Sequence, residues 1–257
     1  MEEFEYRAMA AVQDAHWWFR GKRAIVARMI ERFAAPRGRR LRSLDIGCGT
    51  GANLRLLARY GSACGVELHP LALALCRAHG CTDLARASAV ALPLAAASFD
   101  IVALLDVLYH RALADVDRSL AEAYRVCRPG GLLVVTDSAF EFLRGPHDVV
   151  VHAARRFRRA EMAAFVARAG FEVVKCSYAN GFLFPAAAFV RMFVRRRTRA
   201  TRPTSSDLTL PPRPVNALLT AIYGLEARLL VHVDMGLGLS VLVVARRPAG
   251  VTVAARS

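Results

Sequence analysis

The chain has 257 residues, of which 36 are Lys or Arg and 21 are Asp or Glu, so its formal net charge at pH 7 is +15. This length suffices for one sizeable domain with additions, and the acidic start of the chain is unlike a secretory signal. The six cysteines contain no C-x-x-C pair, so no zinc signature is present and no metal site is predicted. The excess of basic residues is compatible with binding to nucleic acid or to an anionic lipid surface, or with no more than a solvated basic face.

The N-terminal segment is predicted to be helical. Apolar residues around Ile25 recur at helical spacing up to Pro36, so we expect a helical cap over residues 1–40. The two tryptophans of the chain, Trp17 and Trp18, are adjacent within it. Because neighbouring residues on a helix point in different directions, we expect one of them in the core and the other over a site.

A glycine-rich turn follows the first predicted strand. The apolar run Leu41–Ile46 leads into Gly47, Gly49 and Gly51, and a helical pattern begins at Ala52. Glycine permits positive φ and a close approach of a ligand to the backbone, and the start of the helix supplies unpaired N–H groups. The turn therefore predicts a small polar ligand held at the end of a strand.

Two acidic residues narrow the identity of that ligand. Asp45 lies inside the first predicted strand, where a buried carboxylate is costly unless it is used. Glu67 closes the next apolar run, at a position from which a carboxylate can accept both hydroxyls of a ribose. The glycine spacing is G-x-G-x-G and departs from the G-x-G-x-x-G of dinucleotide-binding folds. A dinucleotide enzyme nevertheless stays open at this point.

Strands and helices alternate through the middle of the chain. Predicted strands lie near 41–47, 62–67, 83–86, 100–106 and 131–137, and predicted helices lie near 52–60, 70–79, 115–127 and 159–169. Gly170 stops the last of these helices, and Phe171–Tyr178 is predicted to be a further strand. This alternation predicts an α/β fold with a doubly wound, mostly parallel sheet.

The last third of the chain departs from this alternation. It holds an apolar run (Phe182–Val194), a basic cluster (Arg195–Arg199), a linker rich in Pro, Ser and Thr (Thr201–Pro214), a predicted helix (Val215–Val231) and a final strand (Leu239–Ala245). The apolar run and its arginines fit a lid, a dimer helix or an amphipathic helix on anionic lipid. The basic cluster would also suit RNA phosphates, although no RNA-binding module accompanies it.

Four stretches occur in a fixed order along the chain: LDIGCGTG (44–51), GVELHP (65–70), ALPLAAASFDIVALLDVLYH (91–110) and LAEAYRVCRPGGLLVVTD (120–137). Together they resemble the class I S-adenosylmethionine-dependent methyltransferases. The resemblance implies a Rossmann-like sheet whose last strand is antiparallel, with S-adenosylmethionine as the cofactor. It divides the chain into the cap (1–40), a core (41–178 plus 236–248), a helical insertion or lid between the last two strands (179–235) and a flexible tail (249–257).

The resemblance also implies a set of cofactor contacts. The glycine turn with Asp45 is expected to hold the methionine part, Glu67 the ribose, and Leu68 the adenine. Ser88 stands where the family often places an acid near the adenine amine, so a hydrogen bond there would be uncharged, and Arg20 is expected to pair with the cofactor carboxylate. The full set of expected cofactor contacts is Asp45, Gly47, Cys48, Gly49, Gly51, Asn53, Glu67, Leu68, Ser88, Ala89, Asp106, Val107, Trp18 and Arg20.

Candidate catalytic and substrate-binding residues lie on loops at the same end of the sheet. By the resemblance, the Tyr109-His110 pair after the fourth strand faces the substrate pocket. Histidine titrates near neutral pH, so His110 and His147 are candidate bases, although structural roles stay open for both. The predicted catalytic residues are His110, His147 and Tyr109, and the predicted substrate contacts are Trp17, Phe140, Arg144 and His152.

These features together predict methyl transfer to an O, N or C nucleophile of a small molecule, peptide or lipid-linked metabolite. The stretch 16–23 resembles the N-terminal segment of a bacterial methyltransferase subgroup, which suggests secondary-metabolite or envelope biosynthesis. An RNA methyltransferase and a non-catalytic cofactor-binding scaffold stay open. No uncharged stretch is long enough to span a membrane, and reduced cysteines fit a cytoplasm. A peripheral membrane contact and a homodimer are both compatible with the sequence.

Overall fold

The computed structural model describes residues 1–34, 39–189, 206 and 208–249. Within these residues, seven strands form one sheet in the order β3-β2-β1-β4-β5-β7-β6. The strands are β1 (Leu41–Ile46), β2 (Gly61–Glu67), β3 (Leu84–Arg86), β4 (Phe99–Leu105), β5 (Cys127–Ser138), β6 (Glu172–Ala179) and β7 (Ser240–Arg246). Strands β1 to β5 pair in parallel, whereas β7 is antiparallel to both β5 and β6. The predicted Rossmann-like sheet with an antiparallel last strand is confirmed.

Helices cover both faces of this sheet. They are α1 (Glu3–Val12), α2 (Trp17–Phe33), α3 (Ala52–Leu57), α4 (Pro70–Ala78), α5 (Val116–Val126), α6 (Pro146–Val150), α7 (Arg159–Arg168), α8 (Phe184–Phe189) and α9 (Arg213–Leu229). Alternate residues of β4 point to opposite faces. Val102 and Leu104 join a core cluster with α5 and α7, and Ile101 and Ala103 join another with α2 and α9.

Several boundaries differ from the sequence prediction for local reasons. The predicted helix 52–60 ends as α3 at Leu57 and continues as a 3₁₀ turn over Ala58–Tyr60. The N-terminal helix is broken in two, because the side chain of His16 accepts a hydrogen bond from the Trp18 N–H and so starts α2 afresh. Helix α6, inside the loop after β5, begins at Pro146, a residue type that suits the first turn of a helix.

The segment between β6 and β7 is tied to the N-terminal helices. The Asn216 side chain of α9 accepts a hydrogen bond from the Trp17 N–H at 2.9 Å and donates one to the Ala15 carbonyl at 2.9 Å. Gly21 of α2 lies directly against the Tyr223 ring, since a Cβ at Gly21 would be 2.2 Å from the Tyr223 Cγ. Helices α2 and α9 therefore pack as a pair on one face of the sheet.

Some predicted features fall outside the described residues. The basic cluster Arg195–Arg199 does so entirely, as does all of the tail after Ala249, and the apolar run is described only as far as Phe189. In the part of the chain that the structure describes, no helix is long and apolar enough to cross a membrane. The division into cap, core and insertion stays a prediction.

Candidate active site

The glycine turn between β1 and α3 has the backbone geometry that only glycine tolerates well. Gly47, Gly49 and Gly51 have φ values of +75°, +53° and +90°. A Cβ at Gly47 would lie 2.6 Å from Cγ2 of Val107, and one at Gly51 would lie 2.6 Å from Sγ of Cys76. Two of the three positions thus exclude a side chain by space as well as by conformation.

Glu67 holds this turn from the neighbouring strand. One carboxylate oxygen accepts a hydrogen bond from the Gly49 N–H at 3.0 Å, and the other accepts from the N–H groups of Leu68 and His69 at 2.8 and 2.9 Å. A carboxylate with three backbone donors has a fixed position. The structure therefore places this acid at the edge of the turn, where the sequence predicted a ribose partner.

Asp45 lies beneath the turn rather than beside it. Its side chain is fully buried, and neither carboxylate oxygen has a hydrogen-bond partner within the described part of the chain. Burial, reinforced by the neighbouring Cys76 and Glu67, raises the pKa of Asp45 well above its ordinary value. Burial therefore favours the neutral form of the Asp45 carboxyl group.

A cavity of about 910 Å³ lies at the carboxyl ends of the central strands. It brings together sixteen of the residues predicted from the sequence as cofactor, catalytic or substrate residues, namely Gly47, Cys48, Gly49, Asn53, Glu67, Leu68, Ser88, Ala89, Asp106, Val107, Trp17, Trp18, Tyr109, His110, His147 and His152. A volume of this size accommodates a nucleoside-sized ligand together with a second small molecule.

Five predicted site residues do not line the cavity. Asp45 and Gly51 lie beneath the turn and at the start of α3. Arg20 is exposed on α2. Phe140 stacks on Tyr178 with ring centroids 4.7 Å apart. Arg144 is engaged by Glu141 and donates to the carbonyls of residues 153 and 154.

The first helix contributes cavity residues that the sequence reasoning missed. Gln13 accepts a hydrogen bond from the Thr50 hydroxyl at 2.6 Å, and Tyr6 stacks on His69 with centroids 4.8 Å apart. Met9 lies over the turn, with its Cε 3.5 Å from where a Gly49 Cβ would be. No local signal marks these residues, because each contact joins α1 to a segment that follows far along the chain. Helix α1 thereby covers the glycine turn.

An ion pair that the sequence did not predict joins the cap to the sheet. Nζ of Lys22 contacts both carboxylate oxygens of Asp106, which has a positive φ of +62° at the end of β4. Lys22 also lies 5.2 Å from the ring centroid of Trp18. The sequence contains only two lysines, and this rarity was the one feature that could have drawn attention to Lys22. Lys22 and Asp106 both line the cavity. The pair therefore holds α2 against the end of β4 at the site.

The candidate bases differ in their surroundings. Burial, the N-terminal amine and His152 lower the pKa of His110 to about 4. Its Nε2 is 2.9 Å from that amine, and its Nδ1 accepts from the Ala112 N–H at 3.1 Å. Burial and the charges of Asp106 and Asp137 raise the pKa of Tyr109, which therefore stays a neutral phenol. Neither group is a ready proton acceptor at pH 7.

His147 has a different partner. Its Nδ1 lies 3.8 Å from a carboxylate oxygen of Glu5, whose side chain is almost fully buried. Both residues line the cavity. Of the predicted bases, His147 is the one that lies beside a buried carboxylate.

Comparison with known proteins relates part of the chain to methyltransferases. Residues 44–135 match the family model described as a methyltransferase domain. Over these residues the chain resembles the S-adenosylmethionine-dependent methyltransferases. A "Probable S-adenosylmethionine-dependent methyltransferase" of Mycolicibacterium smegmatis is 31% identical over 172 residues, which cover 65% of this chain and 64% of the relative. A demethylmenaquinone methyltransferase of Tropheryma whipplei is 34% identical over 134 residues, which cover 50% of this chain and 51% of that relative.

Solved structures support the fold of this chain. An S-adenosylmethionine-dependent methyltransferase from Mesorhizobium loti superposes with a TM-score of 0.55 at 19% identity, and the match covers 91% of this chain and all of the other. At that identity the likeness concerns the fold alone. The chain spans about half to two thirds of the length of the two curated relatives named above. Among its described residues, no three His, Cys, Asp or Glu side chains form a group that could hold a metal ion.

Proposed function

We propose that this methyltransferase transfers a methyl group from S-adenosylmethionine to an O, N or C nucleophile of a small molecule or lipid-linked metabolite, a peptide being the further option. The observation that carries the proposal is the cavity itself. It joins the glycine turn and Glu67 to a cap built from aromatic side chains, among them Tyr6, Trp17 and Trp18. Such a lining suits an apolar acceptor better than a phosphate backbone.

The residues of the cavity fit the cofactor. The turn at Gly47 and Gly49 gives backbone access without side chains, and Glu67 supplies a fixed carboxylate for a ribose. Leu68 is 49% exposed beside it and offers an apolar surface for an adenine. Ser88 lines the same cavity and is proposed as the hydrogen-bond partner of the adenine amine. The bound cofactor supplies an activated methyl group, so the protein has mainly to position the acceptor.

The chain's own chemical contribution is proposed to be proton handling and exclusion of water. His147, which lies beside Glu5, takes the proton of a nucleophile that must be deprotonated, and Tyr109, which lines the same cavity, stays neutral. The cap of α1 and α2 closes over the glycine turn and keeps water from the reacting atoms. Replacement of His147 by Gln should lower kcat while the affinity for S-adenosylhomocysteine stays unchanged.

The relatives give the acceptor class some direction. The Tropheryma whipplei relative is named for demethylmenaquinone, and a Mycobacterium ulcerans relative, 33% identical over 135 residues, is named for phthiotriol and phenolphthiotriol dimycocerosates. Both names describe large apolar acceptors. They support the proposal of an apolar acceptor in secondary-metabolite or envelope biosynthesis.

Titration calorimetry tests the cofactor part of the proposal. Wild-type protein should bind S-adenosylhomocysteine and not NAD, and Glu67→Ala should weaken that binding at least tenfold, the scale of a lost charged hydrogen bond. Glu31→Ala is the matched control, because Glu31 lies on α2 with its side chain 43% exposed and pairs with Arg28 and Tyr60. Equal affinities of wild type and Glu67→Ala would show that Glu67 does not hold the ribose.

The acceptor is identified by incubating the protein with methyl-labelled cofactor and extracts of the producing cell. A labelled small molecule or lipid supports the proposal. Labelled RNA, lost at high salt, would establish instead the RNA methyltransferase that the net charge of +15 suggests. Cofactor binding without any labelled product would indicate a non-catalytic scaffold.

A further inference from the structure

Helix α9 carries apolar side chains on two opposite faces. On one face Tyr223 and Ala227 are each 1% exposed, buried against the rest of the protein. The other face holds a stripe at alternating spacings of three and four residues, formed by Val215, Leu218, Ile222, Leu225 and Leu229. At about 100° per residue, Leu218 and Ala227 lie about 180° apart around the helix. The stripe therefore points directly away from the core.

This stripe is open to solvent in the isolated chain. Val215, Leu218, Leu225 and Leu229 are 45%, 61%, 52% and 39% exposed. Leu210 before the helix and Val233 after it are also exposed, at 49% and 55%. A helix that is apolar on both faces is covered on both faces in its working state. Something outside the described chain thus covers the stripe.

The charges around the stripe indicate what covers it. The exposed charged residues of this fully described helix are Arg213 and Arg228, both positive. Its one acidic residue, Glu226, is 1% exposed and accepts hydrogen bonds from the N–H groups of Gly181 and Phe182 at 3.1 Å. Two copies of a chain with net charge +15 repel each other, whereas an anionic surface attracts each copy. Charge complementarity therefore favours an anionic bilayer over a second copy.

We propose that α9 docks the protein on an anionic lipid bilayer. The helix lies in the plane of the interface, with its stripe at the boundary of headgroups and acyl chains and with Arg228, about 80° around the helix from Leu218, beside the lipid phosphates. This inference stands independently of the proposed function, because binding to vesicles requires neither cofactor nor turnover.

The docking places the cavity close to the bilayer. Asn216, in the first turn of α9, accepts a hydrogen bond from the N–H of Trp17 at 2.9 Å, and Trp17 lines the cavity. Leu208, a few residues before α9, lines it as well. The wall of the cavity thus lies next to the N-terminal end of the docked helix. An apolar acceptor of the proposed class would reach the site from the membrane surface.

Vesicle flotation tests the proposal. Wild-type protein should float with vesicles of phosphatidylglycerol and phosphatidylcholine and should stay at the bottom with phosphatidylcholine alone. Leu218→Ser/Leu225→Ser should weaken binding to the anionic vesicles at least tenfold, while Val149→Ser/Val174→Ser, at two exposed valines outside α9, should bind as wild type does. Arg228→Gln should also weaken binding, and should reduce its dependence on salt.

Several results would overturn the proposal. One is failure of the wild type to float with anionic vesicles, and another is undiminished flotation of Leu218→Ser/Leu225→Ser. A dimer in sedimentation equilibrium that this double variant dissociates would assign the stripe to contact between copies. Binding of S-adenosylhomocysteine by each variant verifies folding. Should the double variant fail to fold, the single Leu218→Gln variant, at the most exposed position, takes its place with the same expectation.

Discussion

Replacement of Lys22 by Met is expected to destabilise the protein, because it leaves the carboxylate of Asp106 without its counter-charge. The two side chains are only 14% and 32% exposed. The neighbouring Asp137 is fully buried, and burial together with the charge of Asp106 raises its pKa to about 8, an effect that Lys22 opposes. Met retains most of the aliphatic length of Lys, so the substitution tests charge rather than packing.

The expected magnitude follows from the burial of the pair. Two unit charges 4 Å apart attract by about 4 kcal/mol at an effective dielectric constant near 20, and the cost of desolvating both side chains offsets part of this. Removal of one partner from a half-buried charged hydrogen bond then costs about 2 kcal/mol. The double variant Lys22→Met/Asp106→Asn should cost less than Lys22→Met alone, because it leaves no unpaired charge.

Urea unfolding measures this difference, and Arg28→Met supplies the matched control on the same helix. The Arg28 pair with Glu31 has side chains that are 47% and 43% exposed, so its loss should cost less than about 0.5 kcal/mol. Lys22→Met should shift the unfolding midpoint by about 1 M urea, and Arg28→Met should shift it several times less. Equal shifts for the two variants would refute the reasoning, as would a double variant that is no more stable than Lys22→Met.

Three further predictions rest on single contacts. Gly47→Ala should weaken S-adenosylhomocysteine binding at least tenfold in calorimetry. Its methyl group would overlap the Val107 side chain, and the backbone there has a φ of +75°. The pKa of His110 is lowered to about 4, so the free energy of unfolding falls as the pH drops from 6.5 to 4. His110→Gln should reduce that fall by at most about 3 kcal/mol, as measured by urea unfolding at each pH. Arg156→Leu should lower the free energy of unfolding by about 3–5 kcal/mol in the same assay, because it leaves the carboxylate of Asp148, which is 4% exposed, without a partner charge.

Controls exist for each of these. Gly80→Ala has a comparable φ of +84°, but none of the described residues would lie within 4 Å of the new methyl group, so it should leave cofactor binding unchanged. Arg168→Leu breaks a pair whose side chains are 54% and 56% exposed and should cost under about 1 kcal/mol. Identical pH profiles of wild type and His110→Gln would contradict the role given to burial. Equal losses for Arg156→Leu and Arg168→Leu would contradict the stated difference in burial.

The cofactor side of the site was largely predictable because its signals are local. The glycine turn, its acid at the end of the next strand and the segment after β4 each depend on a strand end and the residues directly following it. In a parallel sheet these strand ends meet at one edge. Gly49, Glu67 and Asp106 therefore reach one cavity without further information. Their individual contacts with the cofactor stay predictions.

The cap side was less predictable because it depends on how a helix is rotated about its axis. Arg20 was expected in the site, whereas the structure brings Lys22 there and leaves Arg20 exposed. Residues two positions apart on a helix differ by about 200°, so a choice between them requires the packing of the whole helix. Tyr223 of α9 sets that packing for α2 by lying against Gly21.

The sequence by itself predicted the alternating fold, the resemblance to methyltransferases and the cofactor, because hydrophobic periodicity and the glycine turn act over a few neighbouring residues. Only the tertiary structure decided which side chains close the site and which faces of the helices stay uncovered. Lys22 and Asp106 are 84 positions apart, and Gln13 and Thr50 are 37 apart. Contacts of that separation depend on the docking of whole elements, and no local pattern in the chain specifies them.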